Sequence, residues 1–241
     1  MSLEKITSNT ALPSVRTEFT LSTADGHTLV AELAMPTGGA PVATLICLHP
    51  LPTHGGFMDS HVLRKAANRL PYLANVAVLR FNTRGTESPH GKSTGEFDGG
   101  QLEKLDLEAA VDYAVAHNLP NRWLLGWSFG TELALKYGWN QDVNGAILLS
   151  PPLHRTSQAE LEQWNHVDKR VIGLIPEFDD YLTPAEAAPA FAVMRKFEQI
   201  DVAEAKHLWV GEPYVKRVLD EIVQVVAPSA YPLPSEVATA L

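Results

Sequence analysis

Cysteine is almost missing from this chain: Cys47 is the one such residue among 241. A lone thiol excludes an internal disulfide framework, and its place in the apolar run "ATLICLH" predicts a buried structural thiol rather than a nucleophile. Positive charge is also scarce. Nineteen lysines and arginines face 28 aspartates and glutamates, for a formal net charge of −9. No basic run is present to track a phosphate backbone, which argues against nucleic acid as a partner. The apolar runs are too short to cross a bilayer, and the first ten residues, "MSLEKITSNT", carry neither a basic n-region nor an apolar h-region. These absences predict a soluble, cytoplasmic protein without a membrane span and leave its oligomeric state open.

What is present is the makeup of a globular domain, 45% hydrophobic, long enough to bury a sizeable core. Near the start, "RTEFTLSTADGHTLVAELAMP" has two alternating stretches joined through Asp25-Gly26, the composition of an antiparallel hairpin. Short, continuously apolar runs then recur at 43–49, 75–82, 122–127, 144–150 and 170–177, as in strands covered on both faces. A weaker strand is expected near "IDVAEA". Between them lie segments of helical period at 59–70, 102–118, 129–139, 184–197 and 213–226. On 102–118, Leu102, Leu105, Ala109 and Tyr113 recur about one turn apart and define the expected apolar face. Strands alternating with helices predict an α/β fold with a mostly parallel central sheet and helices on both faces. One domain is expected over 1–226, with 227–241 a loosely held C-terminal tail.

Within that order, "LLGWSFGTELA" (124–134) places Ser128 directly after a strand and before a helix. A sharp turn there forces backbone atoms together, and glycine at 126 and 130 removes the β-carbons that would collide. The turn lifts the serine hydroxyl above the carboxyl edge of the sheet, at a helix N-terminus that favours an anion. A plain serine N-cap satisfies the same pentapeptide. A nucleophilic serine needs a base, and the base needs a carboxylate to hold its tautomer. Downstream, "FDDYLTP" puts Asp179 and Asp180 at the end of one strand, and "KHLWVG" puts His207 at the end of the next. Thr183 and Pro184 already supply a helix cap and first-turn proline, which frees the aspartates from that duty.

With the stretches "LHPLPTHGGFMDS", "LRFNTRGTESPHGKSTGEFDGG", "GWSFG", "PEFDDYLTP" and "KHLWVG", the chain resembles the α/β-hydrolase superfamily over nearly its whole length. It is similar in particular to lidless bacterial hydrolases related to dienelactone hydrolase and to acyl-peptidase-type serine esterases. The resemblance implies an α/β-hydrolase fold, a catalytic Ser128, Asp179 and His207, an acyl-enzyme intermediate, a small-molecule acyl substrate and no cofactor. Asp180 stands as second choice for the acid, because spacing alone does not separate adjacent aspartates. For the oxyanion hole, Pro50 and Pro52 have no N–H, so Leu51 is the one backbone donor of the three; the N–H of Phe129, next after the nucleophile, is the second. The sequence "HPLP" departs from the His-Gly pattern of many relatives, and His49 is expected to orient this loop in a structural role.

His49, His54, Asp59 and His61 are close in sequence, but their spacing matches no helix-borne metal pair, and no metal site is expected. The glycines of 85–100 fit neither a Walker loop nor G-x-G-x-x-G and predict a surface loop, with Arg84 pairing Asp106. Between Ser150 and Arg170 there is room for one helix and no lid domain. Phe57, Trp127, Leu153, Tyr181 and Trp209 are candidate substrate-binding residues favouring an apolar or aromatic acyl group, with His154 at the lip and no cationic clamp evident. Cleavage of a carboxylic ester is the leading expectation. Thioesterase, peptidase or perhydrolase activity on the same residues, a metal-dependent hydrolase, and a non-catalytic binding protein on this scaffold are the alternatives.

Overall fold

The computed structural model describes residues 3–238. In chain order these form β1 (Leu3–Lys5), β2 (Val15–Ser22), β3 (Thr28–Met35), β4 (Ala43–Leu48), α1 (His61–Ala74), β5 (Val76–Phe81), β6 (Glu87–Ser88), β7 (Gly91–Lys92), α2 (Glu103–Ala116), β8 (Arg122–Trp127) and α3 (Phe129–Tyr137). There follow β9 (Gly145–Leu149), α4 (Gln158–Glu162), β10 (Arg170–Phe178), α5 (Pro184–Ala190), β11 (Phe197–Lys206), α6 (Glu212–Val226) and β12 (Glu236–Ala238).

Eight strands make the central sheet in the order β11-β10-β9-β8-β4-β5-β3-β2. From β11 to β5 neighbours run parallel, while β2, β3 and β5 pair antiparallel. The β2–β3 hairpin is the one expected from the alternating pattern, and Gly26 takes φ 87° in its turn, where a side chain would be strained. Strands β4, β5 and β9 are buried at every position, which accounts for their unbroken apolar runs. Successive residues feed opposite faces. Leu45, Leu125 and Ile147 pack with α1 and α6 on one side, and Ile46, Leu124 and Leu148 pack with α2, α3, α4 and α5 on the other.

Three elements depart from the sequence expectations. Helix α2 buries Leu107, Ala110, Val111 and Ala114 and leaves Leu102 exposed, so its inner face is turned from the Leu102–Leu105–Ala109–Tyr113 stripe. The cause is polar: Glu103 and Asp106 are fully buried, Glu103 accepting the N–H groups of Asp98 and Gly100 at 2.8 Å each and Asp106 holding Arg84 through its backbone N–H, Nε and Nη2. Helix α5 stops at Ala190 rather than 197. Pro189 lacks the N–H for a helical bond, and Phe191 stacks on Phe197 at 3.9 Å, folding the chain back into β11.

The third departure is the C-terminal segment, of which 239–241 lie outside the described residues. Residues 227–238 are docked rather than loose. Leu233 is buried, its N–H donates to Asp220 at 3.0 Å, and β12 pairs antiparallel with β1. Residues 150–169 hold α4 and one 3-10 turn and no inserted domain. Among the described residues no helix is long and apolar enough to cross a membrane.

Candidate active site

Strand β4 turns to β5 on one side while the chain later adds β8 on the other, so the carboxyl ends of β4 and β8 flank the point where strand order reverses. Open α/β sheets bind ligands at such a point. Ser128 lies there, between β8 and α3, with φ 52° and ψ −118°, a region that costs a non-glycine residue about 1–3 kcal/mol. The surroundings enforce it. Its N–H donates to Leu149 at 2.9 Å, and its carbonyl accepts from the Thr131 N–H at 2.8 Å and from the Thr131 hydroxyl at 2.6 Å. A β-carbon on Gly126 would sit 2.6 Å from the Gly130 carbonyl oxygen, and one on Gly130 only 2.0 Å from that of Leu48. Both glycines are therefore required by the approach of α3 to the ends of β8 and β4.

His207 Nε2 is 2.9 Å from the Ser128 hydroxyl, and its Nδ1 is 3.0 Å from both carboxylate oxygens of Asp179. A carboxylate accepts, so Nδ1 carries the proton and Nε2 is left to accept the serine O–H. Of the two adjacent aspartates it is Asp179, buried and also accepting the Tyr181 N–H at 2.9 Å, that meets the imidazole. Asp180 is exposed and lines a separate cavity with Glu204 and Lys206. A register shift between β10 and β11 after Pro176, with Glu204 at φ 58°, re-aims the end of β11 toward the serine.

Leu51 follows β4 in the same cavity as Ser128 and Phe129. Among the described residues neither the Leu51 nor the Phe129 N–H donates to a protein acceptor, as expected for a loop donor and for the first residue of a helix. His49 braces this loop. Its Nε2 accepts the Thr83 N–H at 3.0 Å, so Nδ1 carries the proton and donates to the Pro50 carbonyl at 2.6 Å; burial depresses its pKa to about 4 and keeps it neutral. Gly56 closes the loop from below, where a β-carbon would lie 2.0 Å from the Pro50 carbonyl oxygen.

The remaining sequence candidates divide. Tyr181 lines the cavity and sets its ring edge-on to His207 at 4.6 Å. Trp127 and Trp209 do not line it: both are buried in the core on the α1/α6 side of the sheet. The Trp127 indole N–H instead donates to the His207 carbonyl at 3.2 Å, because the side chain of a residue just before the turn points to the sheet face opposite the serine. Leu153, at φ 55°, packs into the other core layer, and Phe57 lines a neighbouring cavity with Phe97.

Residues that spacing did not reveal complete the surroundings. The Ser150 hydroxyl also donates to the His207 carbonyl, at 3.1 Å, and His61 Nε2 donates to the Leu208 carbonyl at 2.7 Å, pinning the loop that carries His207. Glu132 and Arg155 line the cavity as a pair. Glu132 was findable as the residue one helical turn beyond Ser128, and Arg155 as part of the loop leaving β9 at the same sheet edge. The four residues considered as metal ligands have other partners: His49 and His61 as described, Asp59 with Arg80 and His90, His54 with the Thr53 hydroxyl at 3.1 Å. Cys47 is buried, its thiol pushed up to about 12 by desolvation, and so is no nucleophile.

No family model matches the chain. It is similar to an uncharacterised protein of Rickettsia prowazekii, with 35% identity over 119 residues that make up 48% of this chain and 47% of that protein. The chain thus spans about half the length of the curated relative it matches. Solved structures agree over much more of the chain. A lidless α/β serine hydrolase from Xanthomonas campestris superposes with a TM-score of 0.70 at 24% identity, covering 96% of this chain and 100% of that one. An α/β serine hydrolase homologue from Coxiella burnetii does so with a TM-score of 0.71 at 26% identity, covering 88% and 97%.

Proposed function

This chain is an α/β hydrolase by fold, and from that premise we propose that it is a serine hydrolase cleaving a carboxylic ester of a small substrate. The observation that carries the proposal is the continuous contact from Asp179 through His207 to Ser128, at 3.0 and 2.9 Å. In this reading His207 Nε2 takes the Ser128 proton as the oxygen attacks the ester carbonyl. Asp179 holds the imidazole in the required tautomer and stabilises the imidazolium. The N–H groups of Leu51 and Phe129 receive the developing oxyanion, which replaces their missing protein acceptors. Collapse of the tetrahedral intermediate expels the alcohol, which takes the proton from His207, and leaves an acyl group on Ser128. Water, deprotonated by the same imidazole, then releases the acid.

The cavity over Ser128 has a volume of about 340 Å³, enough for a small ester and too small for a folded partner. Intact-mass spectrometry after incubation with a fluorophosphonate tests the assignment. One adduct is expected on the parent protein and none on Ser128→Ala, with ester hydrolysis lowered by at least about 10³-fold in the variant. A folded Ser128→Ala protein that retained parental hydrolysis would remove Ser128 from the chemistry.

A further inference from the structure

Arg155 leaves the end of β9 and lines the cavity that contains Ser128 and His207. Among the described residues it is the one lysine or arginine that does so. Its position is built. Glu132 on α3 is fully buried, with its side chain 1% exposed, and accepts from the Arg155 backbone N–H with one oxygen and from Arg155 Nη1 at 3.3 Å with the other. The guanidinium also lies over the Phe129 ring, 5.7 Å from its centroid, next to the serine in sequence. The Arg155 side chain is 34% exposed, and its guanidinium makes a single hydrogen bond to the protein among the described residues. Of its five N–H groups, the rest are free to bind.

A buried carboxylate must be paired, and here the pairing holds the arginine without using it up. Both residues border the cavity, but the Glu132 side chain is 1% exposed against 34% for Arg155, so the group a ligand can reach is the guanidinium. A guanidinium edge suits a planar carboxylate, which it binds with two parallel N–H donors. We propose that Arg155 is a specificity-determining residue, and that the substrates are small esters that carry a free carboxylate. Turnover of such esters rests on Ser128 being the nucleophile, as proposed above, whereas binding of the carboxylate requires Arg155 alone.

The test uses two p-nitrophenyl esters of similar size, the butyrate and the mono-glutarate, on the full chain. The parent should turn over the glutarate with the higher kcat/KM. In Glu132→Gln/Arg155→Met, which removes both charges and strands neither, the glutarate-to-butyrate ratio should fall about 10- to 100-fold, the range for a lost charge-assisted hydrogen bond. Arg155→Lys should lie between, keeping the charge and losing the fork. Equal kcat/KM for the two esters in the parent, or an unchanged ratio in the double variant, would overturn the proposal. Calorimetric binding of monomethyl glutarate to Ser128→Ala, with and without the double substitution, separates recognition from chemistry: weaker binding on charge removal supports Arg155, and equal binding refutes it. Failure of the parent to react with a fluorophosphonate would sink the nucleophile assignment while leaving this binding comparison decisive for Arg155.

Discussion

At Gly130 the approach of α3 to β4 leaves no space for a β-carbon, which would lie 2.0 Å from the Leu48 carbonyl oxygen and 2.5 Å from its carbon. Those are backbone atoms of a fully buried strand, unable to move aside as a flexible side chain would. Gly130→Ala is expected to destabilise the fold by about 3 kcal/mol or more, read from urea denaturation; a change within about 0.5 kcal/mol would show that the helix withdraws freely. The glycines of the turn were legible in the sequence because their role is local. The tryptophans were not. Trp127 adjoins Ser128 at the end of β8, where successive side chains point to opposite faces, while Trp209 lies two residues past His207 in a turn beyond β11, at φ 52°; both side chains joined the core.

The elements record a similar division. The buried strands declared themselves as apolar runs, since both faces are covered and no alternation is required. The inner face of α2 did not, because two of its buried positions are acidic and are satisfied by partners outside the helix: Asp106 by Arg84, 22 residues away, and Glu103 by backbone N–H groups of the preceding loop. The C-terminal segment looked loose because its prolines and small residues carry no periodic signal. Its attachment depends on Leu233 entering the core beside α6 and on β12 finding β1 at the other end of the chain. Leu233→Ala should therefore cost about 2–4 kcal/mol in chemical denaturation, whereas a loose tail would show no change.

For the molecule as a whole, His49 links stability to pH. Its pKa is lowered from 6.5 to about 4 by burial, so the unfolded chain takes up a proton in a range where the folded protein does not. Stability contributed here is fully present above about 6.5, falls as the pH drops toward 4, and levels off below that. At about 1.4 kcal/mol per pKa unit the loss amounts to about 3 kcal/mol. His49→Gln, which does not titrate, should be less stable than the parent near neutrality and should show a shallower decline between pH 6.5 and 4. Parallel stability profiles for the two proteins would mean that His49 protonates without penalty in the fold. The loop it braces carries Leu51, so thermal or urea midpoints measured across this window also report on the frame of the candidate oxyanion site.

The sequence by itself determined the alternation of strand and helix, the hairpin at the start, the turn that holds Ser128 and the absence of room for a lid. Each is written in periodicity, in glycine placement or in segment length, which are properties of neighbours along the chain. Only the tertiary structure decided which aspartate meets His207, which aromatics face the cavity, and that Arg155 and Glu132 stand beside the serine. Those depend on the shift in register between β10 and β11, on the face each strand end presents, and on loops converging from separate strands at one sheet edge. Contacts between residues far apart in sequence leave no spacing to read, and the charges that prepare this cavity come together only when the sheet is assembled.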